Sequence, residues 1–356
     1  MSGSNDPTAV PVASPDPQHE ETLGQTAPID AGLADDGASD DTSNLDGDSA
    51  FGDDGSERDS KTSLSSGITK YREENGRRYH AYRDGKYLLP NDDAEQDRLD
   101  LHHHVFNLAL DGKLVMAPIK NPQRVLDVGT GTGIWAIDFA DQYPESHVIG
   151  CDLSPIQPGW IPPNLEFEVD DIEDTWRHNP FSYIHMRSLG GSIKDWPNLL
   201  SQAYNHLNPN GWLEIVEFEV LIRVQNEQDV GFPPMIKKWQ EGLHDAGERI
   251  GRSFEVATQA KKWLQEIGFE DVTEEVVKVP DSPWPRDRRQ KEIGVYQQQN
   301  MLDASSSYGQ AHFTRVLGWS KDEYDIMSAT VRKELKDKRY HVYSNLHVIC
   351  GRRPEN

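Results

Sequence analysis

Cysteine is scarce: Cys151 and Cys350 are the only two in 356 residues. Two thiols cannot build a disulfide framework, which points to a reducing, intracellular setting, nucleus or cytoplasm. No run of about 18 apolar residues occurs, so no segment is expected to span a membrane. The first residues carry neither a basic stretch nor an apolar one, so no secretory signal is expected. Positive charge is in deficit, with 36 Lys and Arg against 60 Asp and Glu. Direct nucleic-acid binding, which needs basic patches to meet phosphate, is therefore not expected. Residues 1–70 lack aromatics apart from Phe51 and hold 15 acids against Arg58, Lys61 and Lys70. Such a segment cannot bury enough apolar surface to offset its ordering entropy, and reads as a disordered acidic tail. The other residues hold all nine Trp and suffice for one well-buried domain.

What is present is an alternation of strand and helix signals. Residues 78–82 and 86–89 read as two extended segments joined at Asp84-Gly85, and Asn91 reads as the cap of a helix starting near Asp92. Together, residues 71–122 form an expected N-terminal cap segment and helix. Strands follow at 124–128, 147–151, 165–169, 181–186 and 212–218, with helices at 133–142 and 196–207. A turn is expected at Asn208-Pro209-Asn210-Gly211. Beyond it come two amphipathic helices, at 234–250 and 254–267, the second ended by Gly268. Strands at 272–279 and 343–350 close the pattern around a mostly helical insert, 281–339. The reading is an α/β fold with a doubly wound, seven-stranded, mostly parallel sheet over residues 123–353, its ligand at the strand carboxyl ends.

The run Arg124-Val125-Leu126-Asp127-Val128-Gly129-Thr130-Gly131-Thr132-Gly133 carries the most chemistry. A buried strand ends beside a carboxylate, and three glycines let a ligand approach the backbone. A dinucleotide site would want its third glycine at 134, where Ile stands; G-x-G-x-G is the form found in S-adenosylmethionine sites. Asp152, at the end of the second strand, is placed to accept from ribose hydroxyls. After the third strand, Asp171 can accept from an adenine amino group while Ile172 covers the ring.

At these residues the chain resembles class I S-adenosylmethionine-dependent methyltransferases, and more narrowly the fungal LaeA-like ones. The narrower likeness rests on residues 74–80, 85–90 and 95–100, on Gly131-Thr132-Gly133-Ile134-Trp135, on Asp152-Leu153-Ser154-Pro155, and on residues 196–199 and 313–319. It implies that Gly129, Thr130, Gly131 and Gly133 meet the methionine half of the cofactor, with Asp127 orienting it. It also implies that Asp152 and Leu153 hold the ribose, and Asp171 with Ile172 the adenine. For function it implies influence on fungal secondary metabolism and development through a protein or chromatin substrate, with velvet-type partners. Two other readings stay open: a small-molecule methylase tailoring a metabolite, and a cofactor-binding scaffold with vestigial activity. Strand four carries Ser182 where many relatives have an acid, and His185-Met186-Arg187-Ser188 where amine methylases place Asn/Asp-Pro-Pro-Tyr.

Methyl transfer from a sulfonium needs alignment and exclusion of water rather than a metal or a nucleophilic side chain. The sequence accordingly assigns no catalytic residue; His185 and Arg187, expected to face the crevice, are the weak candidates. His102, His103 and His104 diverge around a helix, so no metal site is expected. One of them, or Tyr79 or Tyr82, can cover the site. Trp239, Trp263 and Trp284 are candidates for an acceptor pocket, with core packing as the plainer reading.

Overall fold

Apolar runs buried on both faces mark the centre of a parallel sheet, and the computed structural model has that centre. It describes residues 27–31, 71–80 and 88–355. β1 (Tyr71–Glu74) and β2 (Arg77–His80) form a hairpin, followed by α1 (Asp93–Ala109), β3 (Arg124–Val128), α2 (Ile134–Gln142), β4 (His147–Asp152) and β5 (Leu165–Val169). Next come β6 (Phe181–Arg187), α3 (Trp196–His206), β7 (Leu207–Phe218), β8 (Arg223–Val224), α4 (Glu227–Val230), α5 (Pro234–Ile250) and α6 (Val256–Ile267). β9 (Glu270–Pro280), α7 (Arg288–Ser307), a π-helical turn (His312–Val316), α8 (Lys321–Leu335) and β10 (Val342–Arg352) complete the chain. The strands lie in the order β5-β4-β3-β6-β7-β10, with β9 on the outer side of β10. β3 to β7 are mutually parallel and β10 runs against its neighbours. Val125, Val128, Ile149, Tyr183, Ile184 and Met186 are fully or almost fully buried, in two apolar layers on the two sheet faces.

Three local expectations are corrected. β1 and β2 pair across a turn at Asn75-Gly76 that the sequence reading did not include; the expected turn at Asp84-Gly85, with Tyr82, Lys86 and Tyr87, lies outside the described residues. The helix cap is Asp92, not Asn91: its carboxylate accepts from the Glu95 amide at 3.1 Å and binds Arg77 at 2.6 Å. The turn expected at 208–211 sits within β7 as a bulge, where the stretch from Leu207 to Trp212 faces only Phe181 to Tyr183. An eighth strand, the two-residue β8, continues along β10 at Val342 and Tyr343. The acidic tail lies outside the described residues except at 27–31. There Gln225 pairs with both backbone groups of Ile29, and the Arg286 amide donates to Asp30, because the side chain supplies the ladder that a tail lacks.

The insert and the cap meet over the strand tips. Glu214 in β7 accepts from the amides of Met116 and Ala117, fastening the segment before β3 to the sheet. Arg98 of α1, itself paired with Glu95, donates to Asn300 of α7 at 2.9 Å. A third apolar cluster, containing Trp239, Leu243, Phe313 and Tyr324, joins α5 to α8 and the π-helical turn. Trp263 instead packs against Trp196, and Trp284 stacks on His341, so neither reaches the strand-tip crevice.

Gly133, at the start of α2, holds φ at +83°, and a Cβ there would come within 2.4 Å of the Phe167 ring. Gly133→Ala should therefore lower unfolding free energy by about 1–3 kcal/mol, the usual cost of overpacking with backbone strain. Urea denaturation checks this; an unchanged midpoint would show that Phe167 swings aside freely.

Candidate active site

The turn after β3 is built by crossing to the neighbouring strand. The amides of Gly129 and Thr130 both donate to the Cys151 carbonyl, at 2.8 and 3.0 Å. A Cβ at Gly129 would strike Leu189 at 2.4 Å, whereas one at Gly131 meets nothing nearer than Leu99 at 3.6 Å. Glycine at 131 thus answers to its left-handed backbone, φ +58°, and to whatever occupies the space above it.

That space is a crevice of about 1020 Å³, open on one side. Asp127, Gly129, Thr130, Gly131, Asp152, Leu153, Asp171 and Ile172 all line it; Gly133 does not, since it packs beneath on Phe167. Asp152 accepts from the Gly131 and Ser154 amides at 2.9 and 2.8 Å, and burial pushes its carboxyl up to about 6. Asp171 is buried and accepts from the Glu173 amide, while the Ile172 carbonyl accepts from the Trp176 indole. Cap helix α1 roofs the crevice with Leu99, His102, His103 and Phe106, and Thr132 donates to its Asp100 at 2.7 Å.

His185 is corrected: it lies behind Asp127 rather than in the crevice. Its Nδ1–H donates to Asp127 at 2.8 Å while its ring stacks 3.7 Å from Trp135, and burial lowers its pKa, opposed by the Asp127 carboxylate. Thr130 donates to the other Asp127 oxygen at 2.6 Å, so the carboxylate is held from two sides. Arg187, two residues on, does line the crevice. Its guanidinium lies over Phe106 at 4.6 Å and donates to His103 Nδ1 at 3.1 Å. Because Arg is only a donor, His103 must carry its proton on Nε2, where Asp138 accepts at 2.9 Å. Among the described residues no carboxylate reaches Arg187 at ion-pair distance, and burial lowers its pKa to about 10. Ser182 sits at the far end of β6, its hydroxyl bridging Gln123 and Arg124. His104 points away, against Tyr296, and Tyr79 is buried under Arg315.

A second chamber of about 750 Å³ adjoins the first and shares His102 and Ser188 with it. Phe218, Trp239, Met301 and Tyr308 give it apolar walls, with Gln240, Gln297, Asn300 and Glu217 as polar points. Of the three tryptophans singled out by sequence, only Trp239 lines it. Glu217 escaped the sequence reading, although two acids, Glu214 and Glu217, inside a strand otherwise buried and apolar were the available signal. Its oxygens accept from the Leu189 and Gly190 amides.

The methyltransferase domain family matches residues 101–274. The chain is 42% identical to the methyltransferase pytC of Aspergillus terreus over 299 residues, covering 82% of this chain and 91% of that protein. It is 40% identical over 294 residues to a secondary metabolism regulator of Cochliobolus heterostrophus, covering 79% and 94% respectively. It is 35% identical over 290 residues to the protein-methionine methyltransferase laeA of Emericella nidulans, covering 80% and 77%.

Burial raises the Glu217 carboxyl from 4.5 to about 8, against its two amide bonds and the charge of Arg187. The folded state therefore keeps a proton that the unfolded chain releases, so this group's stabilisation is full below the unfolded value and is lost as pH rises through the folded one. Between about pH 5 and pH 8, wild type should lose stability relative to Glu217→Gln by up to about 1.4 kcal/mol per pH unit. Urea unfolding across that range checks the sign; parallel curves for the two proteins would contradict it.

Proposed function

The chain belongs to the fungal LaeA-like methyltransferases, and from that premise we propose that it uses S-adenosylmethionine held in the strand-tip crevice to regulate secondary metabolism. It is a methyltransferase, and the cofactor supplies an electrophilic methyl group on a sulfonium. The observation that carries the crevice assignment is Arg187, a half-buried cation on the crevice wall with no carboxylate at ion-pair distance among the described residues. A cation partly withdrawn from water without a counter-charge is costly, and an amino-acid carboxylate entering the crevice offsets that cost. Asp127, anchored by Thr130 and His185, is the matching acceptor for the ammonium. Asp152 serves the ribose and Asp171 with Ile172 the adenine; Gly131 admits the ligand to the backbone.

Regulation as the role is supported by the regulators named among the relatives; nuclear or cytoplasmic action beside velvet-type partners is the finer part of the same proposal. No helix among the described residues is long and apolar enough to cross a membrane. The second reading, methylation of a small metabolite, is favoured by the partly enclosed apolar chamber beside the crevice.

Calorimetry with S-adenosylhomocysteine and with 5′-methylthioadenosine, which lacks the amino-acid part, tests the assignment. Arg187→Met should weaken the first ligand by about 1.5–3 kcal/mol, the worth of a charged hydrogen bond, and leave the second nearly unchanged. Asp152→Ala should weaken both by about 1–3 kcal/mol. Equal effects of Arg187→Met on the two ligands would remove it from the carboxylate, and absence of binding to wild type would sink the assignment.

A further inference from the structure

We infer that His102 is the base that takes the proton from an uncharged, hydroxyl-bearing acceptor bound in the second chamber, at its junction with the cofactor crevice. The inference rests on the crevice holding S-adenosylmethionine. Four observations place His102 there. It is among the few residues lining both cavities. Its ring packs on Phe106 at 4.5 Å and on Phe218 at 5.4 Å, and those two rings lie 5.3 Å apart, so the three form one aromatic cluster. Both neighbouring histidines are committed elsewhere, His103 to Asp138 and Arg187, and His104 to Tyr296. Neither ring nitrogen of His102 meets a hydrogen-bond partner among the described residues.

The charges around it select the acceptor. Arg98 on α1 is bound to Glu95 and Asn300, Glu219 at the end of β7 to His347, and Glu217 to two backbone amides. Arg187 on β6 and Tyr308, which caps the end of α7, complete the surroundings; Tyr308 donates to the Gly190 carbonyl. Glu219 is already paired with His347 and Arg223, burial holds the Glu217 carboxyl protonated near neutral pH, and the walls are largely apolar, so an acceptor seated there is neutral. Burial, Arg98, Arg187 and His103 keep His102 far below its ordinary pKa. It is therefore a neutral imidazole, able to accept from a hydroxyl; a thioether acceptor would leave its nitrogens unanswered.

In the transfer the acceptor oxygen bonds to the methyl carbon and the carbon–sulfur electron pair stays on sulfur, leaving a neutral thioether. The O–H proton goes to His102, which becomes imidazolium. The site's net charge is unchanged, because one positive charge disappears beside His102 as another forms on it. That exchange lets an imidazole of low basicity act as the base.

The test uses the full chain with nitrogen-15-labelled histidine. S-adenosylhomocysteine binding is measured first; failure there overturns both the cofactor assignment and this inference, while success followed by failure below overturns only this one. p-Cresol, toluene and methylammonium are then titrated into the loaded protein. p-Cresol should bind about tenfold tighter than toluene, the worth of one hydrogen bond, and shift a His102 ring nitrogen; methylammonium should not bind. His102→Phe should erase the difference between p-cresol and toluene, and His102→Gln, which keeps an acceptor oxygen, should restore part of it. N-acetyltyrosine amide, the same phenol on a peptide backbone, shows whether the hydroxyl comes from a protein or a metabolite by binding more or less tightly than p-cresol. Equal affinity for p-cresol and toluene in wild type, a preference that survives His102→Phe, absence of p-cresol binding, or binding of methylammonium would each overturn the inference.

Discussion

A half-buried guanidinium at the end of β6 is the constraint around which the site is arranged. Arg187 is held in place by an aromatic face, Phe106, and by a ring nitrogen, His103 Nδ1, both on α1. His103 is in turn fixed by Asp138 of α2. The cap helix, the helix after the glycine turn and the central strand are thus locked to one charge, which no carboxylate among the described residues meets at ion-pair distance. Asp127, on the adjacent strand, is the opposite case: an anion whose oxygens are already engaged by Thr130 and His185. Placed side by side, the pair presents complementary charge to a zwitterion.

The sheet was legible because buried parallel strands leave long apolar runs, and Val125 to Val128 or Val148 to Cys151 read as nothing else. The glycine turn and the acids at 127, 152 and 171 were legible for the same local reason. Errors came where two local signals competed. Asn75-Gly76 is a turn sequence passed over in a segment of mixed polar and aromatic residues, and only the pairing of β1 with β2 reveals it. Asn208 to Gly211 has turn composition, yet β7 absorbs it as a bulge, where the Asn210 amide and the Gly211 carbonyl pair with Arg353. His185 and Arg187 share a strand face by alternation, so periodicity could not tell which one the Trp135 ring would cover.

The second chamber was beyond local reading altogether. Its walls come from α1, the turn after β6, the end of β7, α5 and α7, brought together by long-range polar contacts. A buried ladder carries this assembly: Arg98 to Asn300, Asn300 to Gln297, Gln297 to Asp281, and Asp281 to Ser344 of β10. Each link satisfies a polar group that would be costly to bury alone. Such a ladder fixes how α7 sits over the sheet without leaving a periodic trace in the sequence.

The two cavities have His102 and Ser188 as common wall. They meet at that wall, so a compound filling both would pass the imidazole. Bisubstrate inhibitors, nucleoside at one end and apolar ring at the other, therefore have a path through this protein that either fragment alone would not reveal.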